Sequence, residues 1–556
     1  MSGFGDKLRE SWTSLSSVFR NPGLRRLQLA FAGSIIGDWA YAVGVAVYAY
    51  GEGGPTAVGV LGVVRYLSMA LIGPFAATLA DRLPRKRVMI SADLVRAGLI
   101  VAAAAVIETG GPPMVVYVLA VATSITATAF RPAQAALLPQ LARDPGELTA
   151  ANVASSTIES VGFFAGPALG GLLLTVADIP TVYIFNAATF IWSAAVVLGI
   201  RAIAPAESEE RAEHAEGEEA PKVGFLRETM VGFKTILADR SLRLLVGLYC
   251  AQTVVAGASL VFLVAIALDL LDLGNAGVGY LDSIMGIGAF VGGFVALILA
   301  QRGRLALDFG IGVILWAAPL LLIVVSPTLA AAAVCMVLIG LANSVVDINA
   351  YTILQRVVPN EVMGRVFGSM ESAIIGAMAL GALLMPLMIE TIGLRAGLAV
   401  IGGTVTVTVV FGLAGLRRID ATVLAPPGLD LLRSVEILAP LPEPILERLA
   451  RALVQAQSSA GEVVIAQGDS GDRVYFVESG SVEITRDGRH IAHLGPGEVF
   501  GEIALLRAVP RTATVTATSD SVFQTLERDV FIPAVTRQHE VHETAESTVT
   551  RRLAML

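Results

Sequence analysis

Four ionisable side chains stand inside long apolar runs. Counting about 1.5 Å per residue from the predicted ends of those runs, Asp38, Arg65, Glu159 and Glu371 fall near the middle of a bilayer. A charge at that depth costs several kcal/mol unless it meets a partner or faces a wet cavity, so all four are candidates for a proton or solute pathway. Asp38 and Arg65 also suit a structural pair between the first two runs. Glu159 and Glu371 occupy corresponding places in two halves of the chain, without an evident intrahelical partner, which suits proton exchange; a structural role for both is the alternative. Asp93, Arg96, Arg131 and Asp347 lie nearer the basic ends of their runs and read as gate residues. Nothing points to an enzyme: the five histidines are scattered and no G-x-S-x-G nucleophile motif occurs. Cys250 and Cys335 are too few for a disulfide scaffold or a cysteine zinc site.

The elements that hold these residues follow from composition. Of 556 residues 55% are hydrophobic and 15% charged, with mean hydropathy +0.71; a soluble protein would carry about 25% charged residues. This is a membrane protein, and a soluble enzyme or a disordered chain is excluded. Twelve apolar runs recur between about 27–50 and about 396–416, each long enough for a span of about 20 residues. Arg25, Arg26, Arg82, Arg85, Lys86, Arg87, Arg143, Arg302, Arg304, Arg356, Arg365, Arg417 and Arg418 collect on one side, against Arg395 on the other. Both termini are therefore expected in the cytoplasm of a multi-pass cell-membrane protein. Arginine-rich, lysine-poor usage points to a GC-rich bacterial genome, and the net charge of -8 gives no basic surface for nucleic acid.

Residues 1–22 place Phe4, Leu8, Trp12, Leu15 and Phe19 on one stripe and predict an interfacial helix. Spans one to six fill 23–203, an acidic cytoplasmic linker 204–224, spans seven to twelve 225–418, and a second linker 419–429. Leu138-Pro139-Gln140 and Thr157-Ile158-Glu159-Ser160 find weak echoes in Val358-Pro359-Asn360 and Ser369-Met370-Glu371-Ser372, which predicts a six-plus-six duplication. From about 430 to 556 the pattern changes. Leu441 to Val454 reads as an amphipathic helix, and short β runs such as Val474–Glu478 and Val482–Thr485 alternate with Gly/Asp turns, predicting a β-roll or jelly-roll domain with flanking helices.

Four stretches resemble the major facilitator superfamily. Ala77-Thr-Leu-Ala-Asp81-Arg82-Leu-Pro84-Arg85-Lys-Arg87 is similar to its loop signature, with Ala77 and Pro84 in place of two glycines. The resemblance implies that Asp81, with Arg82 and Arg85, latches a closing cytoplasmic gate. Gly162-Phe-Phe-Ala-Gly166-Pro167-Ala-Leu-Gly170-Gly171 resembles the signature of drug and proton antiporters; tight helix packing is its plainer reading. Asp93-Leu-Val-Arg96 and Arg131-Pro-Ala-Gln-Ala-Ala-Leu-Leu-Pro139 look most like the macrolide-efflux-like branch. Over about 20–418 the resemblance implies a secondary transporter, proton-coupled, that exports a hydrophobic or amphipathic small-molecule solute across the lipid membrane.

In the soluble domain, Gly495-Pro-Gly497-Glu-Val-Phe500-Gly501-Glu502-Ile503-Ala504-Leu505-Leu506, followed by Arg511-Thr512-Ala513-Thr514-Val515, looks like the phosphate-binding cassette of cyclic-nucleotide-binding domains. Gly501 would let the backbone approach the ligand, the N–H groups of a short helix at Ile503, Ala504 and Leu505 would face the cyclic phosphate, and Arg511 would supply the guanidinium. By the family's pattern Glu502 accepts from the ribose 2′-hydroxyl. Thr512 stands where a hydroxyl can reach a guanine edge, and both cAMP and cGMP stay open as the regulatory ligand. No metal or other cofactor is implied. The alternatives are a cyclic-nucleotide-gated channel or a receptor whose spans signal rather than transport. Gly277-Val-Gly-Tyr280 is a poor potassium filter, lacking the preceding Thr and the final Gly. A helix-turn-helix regulator would need more than the 25 residues that follow Phe531.

Overall fold

The computed structural model describes residues 18–200, 225–300, 304–358, 360–422, 426, 428–536, 541, 545–547 and 550; the side chains of 73–82, 225–229, 297, 300, 360–361, 421–422 and 443–444 are not described. The interfacial helix expected at 1–22 lies mostly outside these residues, and the acidic linker 204–224 lies wholly outside them. The chain divides into two compact units, Met1–Thr422 and Val423–Leu556.

Among the described residues of the first unit, eleven helices are long and apolar enough to cross a membrane. The first of them, Pro22–Ile72, has 51 residues and would extend about 76 Å if straight, over twice the hydrocarbon thickness of about 30 Å. It is not straight. The helix breaks at Gly53 and Gly54, where Gly54 takes φ +62°, a conformation that costs a glycine little. The chain returns to one place across this element: Arg26, near its start, donates to the carbonyl of Gly199, and Lys86, in the first turn of the next helix, donates from Nζ to the carbonyls of Leu198 (2.9 Å) and Ile200 (2.6 Å). The element is thus a hairpin of two passes, which makes twelve passes among the described residues.

Helix starts are set locally. Asn21 caps the first helix, accepting from the N–H of Gly23 and Leu24 with Pro22 behind it. Asp144, Asp178, Asp239 and Thr328 do the same for Pro145–Val176, Ile179–Leu198, Arg240–Ala265 and Leu329–Val357.

Glycines set how the spans pack, and they do so twice. Pro145–Val176 lies on the first span, where a Cβ at Gly166 would meet the Ile36 carbonyl at 2.8 Å, and on Gly274–Ala300, where a Cβ at Gly171 would meet the Ala276 carbonyl at 2.9 Å. Asn360–Ile392 repeats this arrangement. A Cβ at Gly381 would run into the Val254 carbonyl of Arg240–Ala265, and one at Gly59 of the second span would run into the Ala382 carbonyl. Spans five and eleven therefore each pack on the first span of their own half and on a span of the other half, a repeat consistent with a duplicated bundle. The Gly162–Gly171 stretch does what its plainer reading expects, close helix contact.

The second unit holds eight strands: β1 Val454–Ser458, β2 Val463–Ile465, β3 Arg473–Ser479, β4 Val482–Arg486, β5 Arg489–Leu494, β6 Val499–Phe500, β7 Thr514–Ala517 and β8 Ser521–Glu527. They form two four-stranded antiparallel sheets, ordered β1-β8-β3-β6 and β2-β7-β4-β5. Alternation along β3 sorts two cores. Val474 and Phe476 turn to a helical layer with Leu432, Leu449 and Phe531, while Val477 turns into the roll with Val482, Phe500, Val515 and Phe523.

Candidate functional site

The bundle places one guanidinium between two carboxylates. Arg96, on Arg85–Glu108, donates from Nη2 to Asp93 Oδ1 (2.5 Å) and Ser34 Oγ (3.4 Å), and from Nη1 to Asp38 Oδ2 (3.2 Å). Its charge also lies 3.9 Å from the centroid of Phe190 and 5.0 Å from that of Phe130. Arg96 and Asp93 are buried. This corrects one sequence reading. Asp38 pairs with Arg96 rather than Arg65, because Asp93, one turn before Arg96 on the same helix, lets that guanidinium hold two carboxylates at once. Arg65 instead donates from Nε to Ser124 Oγ (2.9 Å). Asp93 and Arg96 form a buried cluster with Asp38.

Glu159 also has a partner: Arg131 Nη1 and Nη2 donate to its two oxygens at 2.5 and 2.9 Å, a bidentate pair on the half-exposed surface of the first half. In the second half the partners are neutral. Tyr351 donates to Glu371 (2.5 Å) and stacks on Phe367, while Asp347 accepts from Tyr249 (2.6 Å) and Asn343 (3.2 Å). Glu159 and Glu371 thus have no partner within their own helices, as their spacing indicates, but each is met from a neighbouring helix, which residue spacing along one helix does not reveal. Of the latch residues, Arg85 opens its helix, and the side chains of Asp81 and Arg82 lie outside the described residues. Sequence reasoning missed Asp282, a lone carboxylate in Gly274–Ala300 with no hydrogen bond or ion pair to any described residue. Its signal was a single charge in the run Val278-Gly-Tyr-Leu-Asp-Ser283.

The soluble unit carries a cavity of about 370 Å³. Its floor is the segment from Gly501 to Ala504. Gly501 sits at φ +83° and caps the helix Glu502–Arg507, and a Cβ there would come within 2.5 Å of Arg511 Nη1. Only glycine gives both the backbone conformation and the room for the guanidinium. Arg511 is 5% exposed. It donates from Nη1 to the Gly501 carbonyl and from Nη2 to the Arg473 carbonyl, both at 2.8 Å. Two backbone carbonyls thus aim the guanidinium at the cavity that it lines. Burial pulls the Arg511 guanidinium down from the ordinary arginine value, and nearby Tyr475, Asp472 and Glu502 oppose that shift; an arginine stays charged regardless. Asp472 is held below the usual carboxylate range by its hydrogen bonds from Arg473.

Glu502, Ile503, Ala504, Thr512 and Ala513 line the same cavity, walled by Ile465, Ile484 and Val515. Glu502 is almost fully buried. Leu505 is not among the lining residues: its side chain belongs to the helical core with Leu526 and Phe531, so any contact it makes with a ligand runs through its backbone. Sequence reasoning missed Glu436 and His493, which reach the cavity from the helical layer and from β5.

Comparison with known proteins places both units. The model of the Major Facilitator Superfamily matches residues 27–370 and 248–456, and that of the Cyclic nucleotide-binding domain matches residues 456–538. The chain belongs to the Major Facilitator Superfamily: a multi-pass membrane protein whose transporter domain is followed by a C-terminal cyclic-nucleotide-binding domain. A POT family transporter solved in complex with 5-aminolevulinic acid shares the bundle fold, with a TM-score of 0.55 and 14% identity over 71% of this chain and 96% of that one. The soluble unit is similar to the cAMP-dependent protein kinase regulatory subunit of Yarrowia lipolytica, 43% identical over 91 residues, or 16% of this chain and 24% of that protein. It is also similar to the cGMP-dependent protein kinase, isozyme 1, of Drosophila melanogaster, 33% identical over 149 residues, or 25% of this chain and 19% of that protein. The chain spans about a quarter or less of the length of these curated relatives.

Proposed function

We propose that the protein is a proton-coupled secondary transporter of the macrolide-efflux-like branch, exporting a hydrophobic or amphipathic solute from a cell whose cytoplasm holds both termini, and that cAMP or cGMP in the C-terminal cavity modulates it. The observation that carries the regulatory half is Arg511, buried and aimed at the Gly501–Ala504 segment in a cavity large enough for a small ligand. A guanidinium, free backbone N–H groups and a buried carboxylate at Glu502 suit a cyclic phosphate with its ribose hydroxyl. Relatives named for cAMP and for cGMP leave the base open, with Thr512 as the residue that could read it.

In the bundle, the Asp38–Arg96–Asp93 cluster fixes the first half, while Glu371 and Asp347, bonded by neutral hydroxyl and amide donors, are the carboxylates free to exchange a proton. Glu159 is held by Arg131, and that pair, with the Asp81, Arg82 and Arg85 loop, suits a gate that breaks and reforms. Glu371→Gln is expected to retain solute exchange but lose dependence on a pH gradient. Glu159→Gln, which leaves Arg131 without its partner, is expected to slow both. The measurement is counterflow against pH-jump transport in proteoliposomes, with a solute found by screening amphipathic compounds. Unchanged pH-driven transport in Glu371→Gln, Asp347→Asn and the double variant would reject the assignment.

A further inference from the structure

The β4–β5 hairpin holds a cluster that nucleotide binding does not explain. Its turn is Asp487-Gly488, with φ +51° and +78°, the left-handed pair that suits a tight hairpin. Beyond the turn, Thr485 pairs with His490, Ile484 with Ala492 and Glu483 with His493, so Ile491 is an extra residue in β5. Residues three apart in a regular strand face opposite sides. One bulged residue brings His490 and His493 to the same side, next to Glu483. His490 Nδ1 lies 2.8 Å from Glu483 Oε1 and the two imidazole centroids are 4.7 Å apart. One ligand atom from each of the three side chains lies within 4.8 Å of the others.

We propose that Glu483, His490 and His493 bind a divalent transition-metal ion of the zinc class on the outer face of the β4–β5 wall of the nucleotide cavity. Two imidazoles and one carboxylate form a borderline-soft donor set that favours zinc, nickel or copper over magnesium or calcium. Tetrahedral zinc, with bonds of about 2.0–2.1 Å, holds its ligand atoms roughly 3.3 Å apart, so these side chains, whose ligand atoms lie within 4.8 Å of one another, need close by no more than about 1.5 Å. Three protein ligands leave a fourth position for water or a ligand atom. Ile484, Ala492 and Leu494 of the same two strands line the nucleotide cavity while the side chains of His490 and His493 are exposed on their other face, so an ion held there pins one wall of that cavity from outside.

The test titrates the full chain, purified through a tag without histidine, with zinc chloride in competition with a chromogenic chelator at neutral pH. One equivalent is expected that weakens at least tenfold in His490→Ala and in Glu483→Gln. His490 is not among the cavity-lining residues, so cAMP binding by His490→Ala in excess chelator checks its fold; Glu483→Gln, which can still bond His490, serves as the second variant. Zinc should also shift the Kd for cAMP at least threefold in the parent chain and leave it unmoved in His490→Ala. Equal zinc affinity in the parent chain and both variants would overturn the site, and a parent Kd for cAMP insensitive to zinc would overturn its link to the cavity.

Discussion

Arg511→Ala is expected to weaken cyclic-nucleotide binding about 30- to 1,000-fold, the equivalent of about 2–4 kcal/mol. A charge-assisted contact to a phosphate in a partly desolvated site is lost, and the loss does not stop at the ligand. The guanidinium also satisfies the carbonyls of Gly501 and Arg473, and buried acceptors left without a donor cost about 1–3 kcal/mol. The variant domain should therefore unfold more readily even without nucleotide. Arg511→Lys separates the two effects, because it keeps the charge but cannot span both carbonyls and the phosphate with one ammonium; its affinity should fall between the two. Isothermal calorimetry of the full chain with cAMP and cGMP measures this. Undiminished affinity in Arg511→Ala would place the phosphate elsewhere.

Arg96→Met should destabilise the bundle by about 3–5 kcal/mol, since removing one partner leaves buried charge uncompensated. Asp93 is fully buried and Asp38 partly so, and without Arg96 the two carboxylates face each other across a site lined by Phe130 and Phe190. Thermal loss of the monodisperse peak in detergent should come at markedly lower temperature. The pairing argument makes a sharper claim about the double variant Asp93→Leu/Arg96→Met. Replacing a buried ion pair by apolar side chains of similar size is often neutral, so the second substitution should recover much of what the first loses, and the two effects should not add. A single Arg96→Met variant as stable as the parent chain would show that the cluster contributes nothing to the bundle.

The fold was legible in the sequence because its signals are local and repeated. Apolar runs of bilayer length and the period-two pattern of Val474 to Val477 each state an element within a few residues. The nucleotide cavity was legible for the same reason: Gly501 and Arg511 lie ten residues apart, and the positive φ of Gly501 explains why glycine stands there. What failed was pairing across helices. Arg65 reads as deep in its apolar run and Arg96 as nearer the basic end of its own, and that spacing points Asp38 to the wrong one; rotation of one helix about its axis decides it. The partners of Glu159 and Glu371 come from other helices too. Glu436 and His493 escaped because they reach the cavity through tertiary packing, and the alignment of His490 with His493 depends on a single bulged residue that periodicity alone does not reveal.

The central claim is that nucleotide in the soluble domain and conformation of the bundle share one equilibrium, through the short connection from Leu416 to Leu429. It can be tested without knowing the solute. The two halves meet through hydrogen bonds from Tyr50 to Asp269 and from Thr56 to Glu390, at the ends of their spans remote from the Arg26 and Lys86 contacts. Thr56→Cys/Glu390→Cys, made in a chain with Cys250→Ser and Cys335→Ser, leaves the Tyr50 contact intact and lets a disulfide lock the halves together at that end. Linkage requires that a lock favouring one state change nucleotide affinity by the factor with which nucleotide shifts that state. A tenfold factor corresponds to about 1.4 kcal/mol, enough to modulate a balanced equilibrium but not to lock it. The measurement is the Kd for cAMP and for cGMP in the oxidised and reduced forms of this one protein, with the rate of cross-linking followed with and without nucleotide. Coupling predicts a Kd that differs several-fold between the two forms and a cross-linking rate that nucleotide changes; identical Kd values in both forms, with a rate indifferent to nucleotide, would contradict it.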